Sequence, residues 1–376
     1  MKLTALVDRE GMRSVKSNSS SKREGQIDLS LADMDFMPPV EVKEALYRQI
    51  TNGVLGYCEA DEALKRVITQ WYKRRYFSQI KSEELIFGPG MNTVLSLCVE
   101  AFTKEQDEII VMPPVYAPFI LSALHQNRRV REVPFLHDHG KYDVDFMGFE
   151  EACKVSKMFF LCSPHNPITK VFSHEELRRL LEIAKKYHVL VVADEIHCDW
   201  SFVPYTSASS IDPLVITLLS ASKTFNLQSM QTSLIYIHDK ERFAEFTQAM
   251  KRHMISSHNG LAYAAYFAAY SYGEDWLNEV KEIVKGNINY FTSFLKKNVP
   301  DFIVYPNEGT YLVWVDVSRR FHDEKGAIEF FEKRKIDVIL GSNYFATGVW
   351  VRLNLATGRQ QIVEVCRRLY ESEEVQ

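Results

Sequence analysis

Residues 214–226, LVITLLSASKTFN, decide how the fold is read. The run Leu214-Val215-Ile216-Thr217-Leu218-Leu219 predicts a buried strand, and Lys223 follows just past its end among small hydroxyl residues. A solvated loop lysine fits that position, and so does an amine that does chemistry. The surrounding sequence has to separate the two.

Three further apolar runs share the character of this one: Ile109–Met112, Met158–Cys162 and Val189–Ala193. Their nearly continuous hydrophobicity predicts parallel strands covered on both faces. Between the last two lies SHEELRRLLEIAKKYH. Ser173 and Glu176 form a capping box there, and Leu177, Leu180, Leu181 and Ala184 give a helical stripe. Strand, helix and strand at this spacing make a βαβ unit. The prediction is an α/β protein with a doubly wound, mostly parallel sheet in a large domain over residues 45–275.

The flanks differ. The stretch up to Gly25 is polar and predicts an extended arm, and Pro38-Pro39 ends a second extended segment. A helix is expected beyond it, with Val42, Ala45, Leu46 and Ile50 on one face. After a long helix from about Asp275 to Asn298, strand-like runs flank a turn at Asn307-Glu308-Gly309. A helix near Ala327–Arg334, the runs IDVIL and VWVRLNL, and a closing helix follow. Residues 276–376, with the arm 1–44, therefore read as a smaller α+β domain.

The composition narrows the function classes. A chain of 376 residues, 46% hydrophobic and 25% charged, is ordinary globular material, large enough for two units. A net charge of −4 does not advertise nucleic acid or an anionic membrane as a partner. The six cysteines stand singly, without a CxxC pair, which reads as reduced thiols in a cytoplasmic protein. His197-Cys198 alone is a poor start for a metal site. The N-terminus lacks the apolar core of a signal peptide, and the longest span candidate, around Leu261 to Tyr270, is too short to cross a membrane.

In open parallel sheets ligands bind beyond the carboxyl ends of the strands. The residues just past the four apolar runs include Tyr116, Asn166, Asp194 with His197, and Lys223 with Ser220 and Ser222. Asn166, Asp194 and Lys223 recur at about 28 residues, near one βαβ unit each. An enclosed lysine can form a Schiff base with an aldehyde, because desolvation frees the amine. A carboxylate can keep a pyridine nitrogen protonated, and the ring then becomes the electron sink of pyridoxal phosphate chemistry. The turn Gly88-Pro89-Gly90-Met91-Asn92-Thr93, ahead of a helical stretch, suits a phosphate. Singly, each feature has an ordinary alternative: Asp194 as a helix cap, Asn166-Pro167 as a turn, Lys223 as a solvated side chain. The ordered set is more specific than any member.

SPHNP, ADEIH and SASKTFN, in this order, resemble the fold type I pyridoxal-phosphate enzymes of the class I/II aminotransferase superfamily. More narrowly, with DREGMRSVK, LADMDF, LGY, PPVYAPF, EGTYLVWVD and VRLNLAT, the chain is similar to the MalY/PatB-type C–S β-lyases, or cystathionine β-lyases, over nearly its whole length. The resemblance implies pyridoxal 5′-phosphate bound to Lys223, which would also be the proton-transfer base. It implies Asp194 at the ring nitrogen, Asn166 and His197 near the ring hydroxyl, and Tyr116 stacked on the ring. Met91 and Asn92, with Ser220 and Ser222, would hold the phosphate. Arg352 would bind the substrate carboxylate; a structural ion pair is the plain alternative for an arginine in an apolar strand. Tyr57 would reach across from the partner of a homodimer to the phosphate region. The implied reaction converts an amino-acid substrate such as cystathionine to a thiol, pyruvate and ammonia. An aminotransferase and a cofactor-binding regulatory protein remain the alternatives. Gln231 stands where many aminotransferases carry an arginine, eight residues after the lysine, and leans the reading towards lyase. Thr169 departs from a frequent glycine.

Overall fold

The structure, a computed structural model of the chain, describes residues 7, 9, 11–18, 24–76, 80–138, 140–256 and 259–371. Its centre is a seven-stranded sheet in the order Leu85–Gly88, Ser233–Tyr236, Ile216–Leu219, Leu190–Asp194, Ser156–Cys162, Glu108–Val111, Arg129–Glu132. All neighbours run parallel except around Ser233–Tyr236, which is antiparallel to both of its partners. The four apolar runs thus lie in the sheet, and all four stand next to one another, in the order Ile216–Leu219, Leu190–Asp194, Ser156–Cys162, Glu108–Val111. Helices cover both faces. His174–Lys186 closes the βαβ unit, with its capping box formed and Leu177, Leu180, Leu181 and Ala184 buried.

A second sheet has four antiparallel strands in the order Ile303–Val304, Leu312–Asp316, Trp350–Asn354, Ile339–Leu340. Ile27–Asp28 pairs with Ile336–Asp337 beside it, so the chain's start joins its end. One apolar core runs from helix Glu62–Tyr76 through Trp200, Phe225 and Tyr266 to Val313, Val351 and Val365. Burial is therefore continuous from the helices of the large sheet to the small sheet.

Three expectations need correction. The strand before Lys223 begins at Ile216, because Asp212 turns the chain by accepting the Leu214 N–H and leaves Leu214 exposed. Ile50 does not join the buried face of helix Val40–Thr51. That helix packs on helix Gly260–Tyr272, and Ile50 stays exposed in this chain. The arm is not wholly extended: Val15–Asn18 is helical, while residues 1–6, 8, 10 and 19–23 of the arm lie outside the described residues. Arg9 and Lys16 pair with both Asp33 and Asp35, which ties the arm to the segment LADMDF.

Candidate active site

The strand ends open into one cavity of about 480 Å³, of the size that holds a cofactor and a small substrate. Lys223, Asp194, Asn166, Tyr116, His197, Met91, Asn92, Ser220, Ser222 and Arg352 all border it. Tyr57 does not: it is fully exposed on this chain.

Lys223 sits in the short helix Ala221–Phe225, started by the Ser220 side chain and ended by Asn226 in the left-handed conformation. Its amine donates to the Ala32 carbonyl at 2.8 Å. Burial, helped by the nearby Arg352 charge, lowers its pKa to about 8, although Asp33 and Asp194 pull the other way. The free amine is therefore within reach near neutral pH.

Asp194 ends the central strand and is buried. Desolvation raises its carboxyl to about 7, opposed by the Ile196 N–H at 3.0 Å and by Lys223. A buried acid with one backbone partner suits a cationic group that arrives with a ligand. His197 is buried beside it with Nδ1 unpaired, and burial plus the charges of Lys223 and Arg352 hold it neutral.

Arg352 projects from the small sheet, 4% exposed. Its guanidinium donates to Asn166 Oδ1 at 3.2 Å and the Ser30 carbonyl at 2.7 Å, and lies over the Tyr344 ring. Nε has no partner, and no carboxylate of the described residues pairs with this cation. The plain alternative, a structural ion pair, is absent among those residues. A buried guanidinium with unused donors calls for an anion.

The other end of the cavity is neutral. The Met91 and Asn92 N–H groups open helix Met91–Phe102 and lack intrahelical acceptors, as helix geometry requires. Tyr116 donates to Asn92 Oδ1 at 3.1 Å. Gln231 borders this end, with its Oε1 close against Gly90. The Ser220 hydroxyl is spent on the fold: it caps Ser222 and bonds the Thr232 carbonyl and the Tyr266 hydroxyl. Ser222 is the hydroxyl left to face this end.

Sequence reasoning missed several lining residues. Gln228, Thr232, Ile339, Asn343 and Tyr344 also border the cavity. Tyr344 carries no motif; only its place in the turn Gly341–Tyr344, just after the edge strand Ile339–Leu340 of the small sheet, could have suggested it. The segment Ser30–Phe36 is also stitched to the site through its carbonyls, by Arg352, Asn354, Lys223, Tyr311 and Asn226.

With this geometry in hand, the comparisons give the class. Residues 24–369 match the family described as aminotransferase class I and II, and the chain belongs to it. Among its relatives, cystathionine beta-lyase PatB of Bacillus subtilis is 32% identical over 96% of this chain and 97% of the relative. Protein MalY of Escherichia coli is 28% identical, covering 95% of each chain. The crystal structure of cystalysin from Treponema denticola, which contains pyridoxal 5′-phosphate, superposes with a TM-score of 0.94 at 30% identity, covering 98% of this chain and 97% of that one. The residues here fit that cofactor: an enclosed amine of lowered pKa, a buried acid on which Lys223 is the one cation acting among the described residues, and a neutral cup at a helix start.

Proposed function

We propose that the protein is a pyridoxal-phosphate-dependent C–S β-lyase, cleaving L-cystathionine or a related L-cysteine S-conjugate to a thiol, pyruvate and ammonia. The observation that carries the reading is the Arg352 guanidinium, without a carboxylate partner among the described residues, facing the same cavity as the Lys223 amine and the Asp194 carboxyl. The name of PatB, a cystathionine beta-lyase, supports carbon–sulfur cleavage over amino-group transfer.

Lys223 would hold the cofactor through Nζ, Asp194 would face its ring nitrogen, and Tyr116 would pack against the ring. Asn166 and His197 would lie by the ring hydroxyl, and the Met91 and Asn92 N–H groups with Ser222 would take the phosphate. When bound, pyridoxal 5′-phosphate supplies a ring that draws electrons from the substrate's α-carbon. Arg352 binds the α-carboxylate and so fixes which bond at that carbon faces the amine. Lys223 Nζ, in its free-amine form, takes the α-proton. The ionised Asp194 carboxylate stabilises positive charge at the ring end of the site. Asp194 and Arg352 are buried and Lys223 is half-buried, which limits the water that competes with these contacts.

Tyr57 lies beside exposed Tyr47, Ile50, Val54 and Leu55, an apolar stretch suited to a second copy of the chain. A homodimer in which Tyr57 serves the partner's cavity is part of the proposal, and sedimentation velocity tests it. Six unbridged cysteines suit a reducing, cytoplasmic setting. Among the described residues, no helix is long and apolar enough to cross a membrane.

Purified protein loaded with the cofactor should release pyruvate from cystathionine alone. Pyruvate that forms only with a keto-acid acceptor, or not at all, defeats the lyase reading.

A further inference from the structure

The helix that presents Lys223 has 5 residues, too few to hold its own shape. Something outside it must fix the direction of the amine. Its ends are set by Ser220 and Asn226. Its middle is gripped from behind, on the side away from the cavity.

Two bonds make that grip. Trp200 Nε1 donates to the Lys223 carbonyl at 2.7 Å. The hydroxyl of the next residue, Thr224, donates to Asp199 Oδ2 at 2.8 Å. Asp199 is 0% exposed and does not border the cavity, so it cannot touch a substrate or cofactor there.

Its carboxylate is nonetheless heavily held. Trp71 Nε1 donates to it at 3.1 Å, the Tyr76 hydroxyl donates to the same oxygen, and Arg75 Nε stands 3.2 Å away. Those three residues share one face of helix Glu62–Tyr76. Lys281, on helix Glu274–Asn298, donates to the Asp199 carbonyl at 2.7 Å and the Ser201 carbonyl at 2.9 Å. A buried carboxylate is costly unless its oxygens are this well served. Asp199 also belongs to the turn Cys198–Trp200, a few residues beyond Asp194. One rigid turn therefore registers the strand end of Asp194 against the helix of Lys223.

We propose that Asp199 is a positioning residue for the reacting lysine, acting through Thr224. It transmits the placement of two long helices to the direction of the Lys223 amine. The proposal rests on the reading of Lys223 as the reacting amine.

Thr224→Val removes the strut and leaves the Trp71, Tyr76 and Arg75 contacts of Asp199 in place. In the full-length, cofactor-loaded protein it should lower kcat about tenfold with KM within about twofold, since small misplacements of a reacting group are costly in rate. The visible circular dichroism per bound cofactor should change, the melting temperature should move by only a few degrees, and Thr224→Ser should restore the parent signal. Asp199→Asn should lower kcat at least as far, and adding Thr224→Val to it should cost little more, because both act through one contact. A Thr224→Val protein with the parent's dichroism and kcat overturns the proposal, whether or not Asp199→Asn folds. In cofactor-free protein the same displacement should alter the rate of Lys223 reductive methylation, followed by mass spectrometry; an unchanged rate counts against it. A parent that makes no pyruvate sinks the lyase reading instead, and leaves the dichroism and methylation results to decide the role of Asp199.

Discussion

At one end of the cavity stand Lys223, Asp194 and Arg352, all ionisable. At the other stand Gly90, Met91, Asn92, Ser222 and Gln231, none of which carries charge. The charged end is costly to build: burial, helped by the Arg352 charge, lowers the lysine, and burial raises the acid. The neutral end uses backbone N–H groups that a helix start leaves over in any case. On the proposed function, the difference separates reacting from holding. Charge is placed where it must change hands, and neutral donors serve where an anion only has to stay.

Four measurements would break or sharpen that contrast. The largest effect belongs to Lys223→Ala, which should cut pyruvate release by more than about 10³-fold and abolish the visible absorbance of the loaded protein. Asp194→Asn keeps the shape and removes the charge, and should lower kcat about 10²-fold while the cofactor still binds. If kcat is unchanged, the charged end is not where the chemistry is stabilised. Arg352→Ala should raise KM for cystathionine about 10–100-fold, the loss of a charge-assisted contact of about 1.5–3 kcal/mol, and kcat should fall less. Gln231→Arg tests the neutral end: cofactor dissociation should slow a few-fold, with kcat within about twofold of the parent. A large kcat change there would erase the distinction between the ends.

The pH profile sharpens it further. Lys223, lowered to about 8, gains free amine as pH rises through that value, and Asp194, raised to about 7, is ionised above it. Capture of pyridoxal 5′-phosphate by cofactor-free protein should therefore accelerate between about pH 7 and 9; a flat rate across that range contradicts the assignment. Stability moves the other way for the acid. Its folded pKa lies above the unfolded one, so the native state keeps a proton the unfolded chain has lost. The cofactor-free protein should lose melting temperature as pH rises from about 4 to 7, and Asp194→Asn should flatten that slope.

Much of the charged end was legible, because its residues follow apolar runs that announce themselves as strands. Lys223, Asp194 and Asn166 stand at adjacent strand ends, and their recurrence marks them. Thr169 was also readable, as a departure. Its φ of 60° explains why glycine is frequent there, and its hydroxyl gains a bond to the Pro306 carbonyl. Asp199 was not legible. Its partners Trp71, Tyr76 and Thr224 come from distant segments, and only packing brings them to one carboxylate. Ser220 looked like a phosphate donor, yet its hydroxyl serves the Thr232 carbonyl, a demand no local pattern reveals. Tyr57 illustrates a different limit: this chain's own packing gives its exposure no role, and only the proposed second chain would.

The Ala32 carbonyl receives three donors at once: the Lys223 amine at 2.8 Å, the Tyr311 hydroxyl at 2.9 Å and Gln228 Nε2 at 3.1 Å. That makes the oxygen oversubscribed. When the lysine turns to a ligand, two donors remain, and the acceptor is not stranded. Stranding a buried polar group costs about 1–3 kcal/mol, so this spare capacity lets the amine leave without that penalty. The lysine is parked where its departure disturbs little, and the empty protein and the loaded one can share a single backbone.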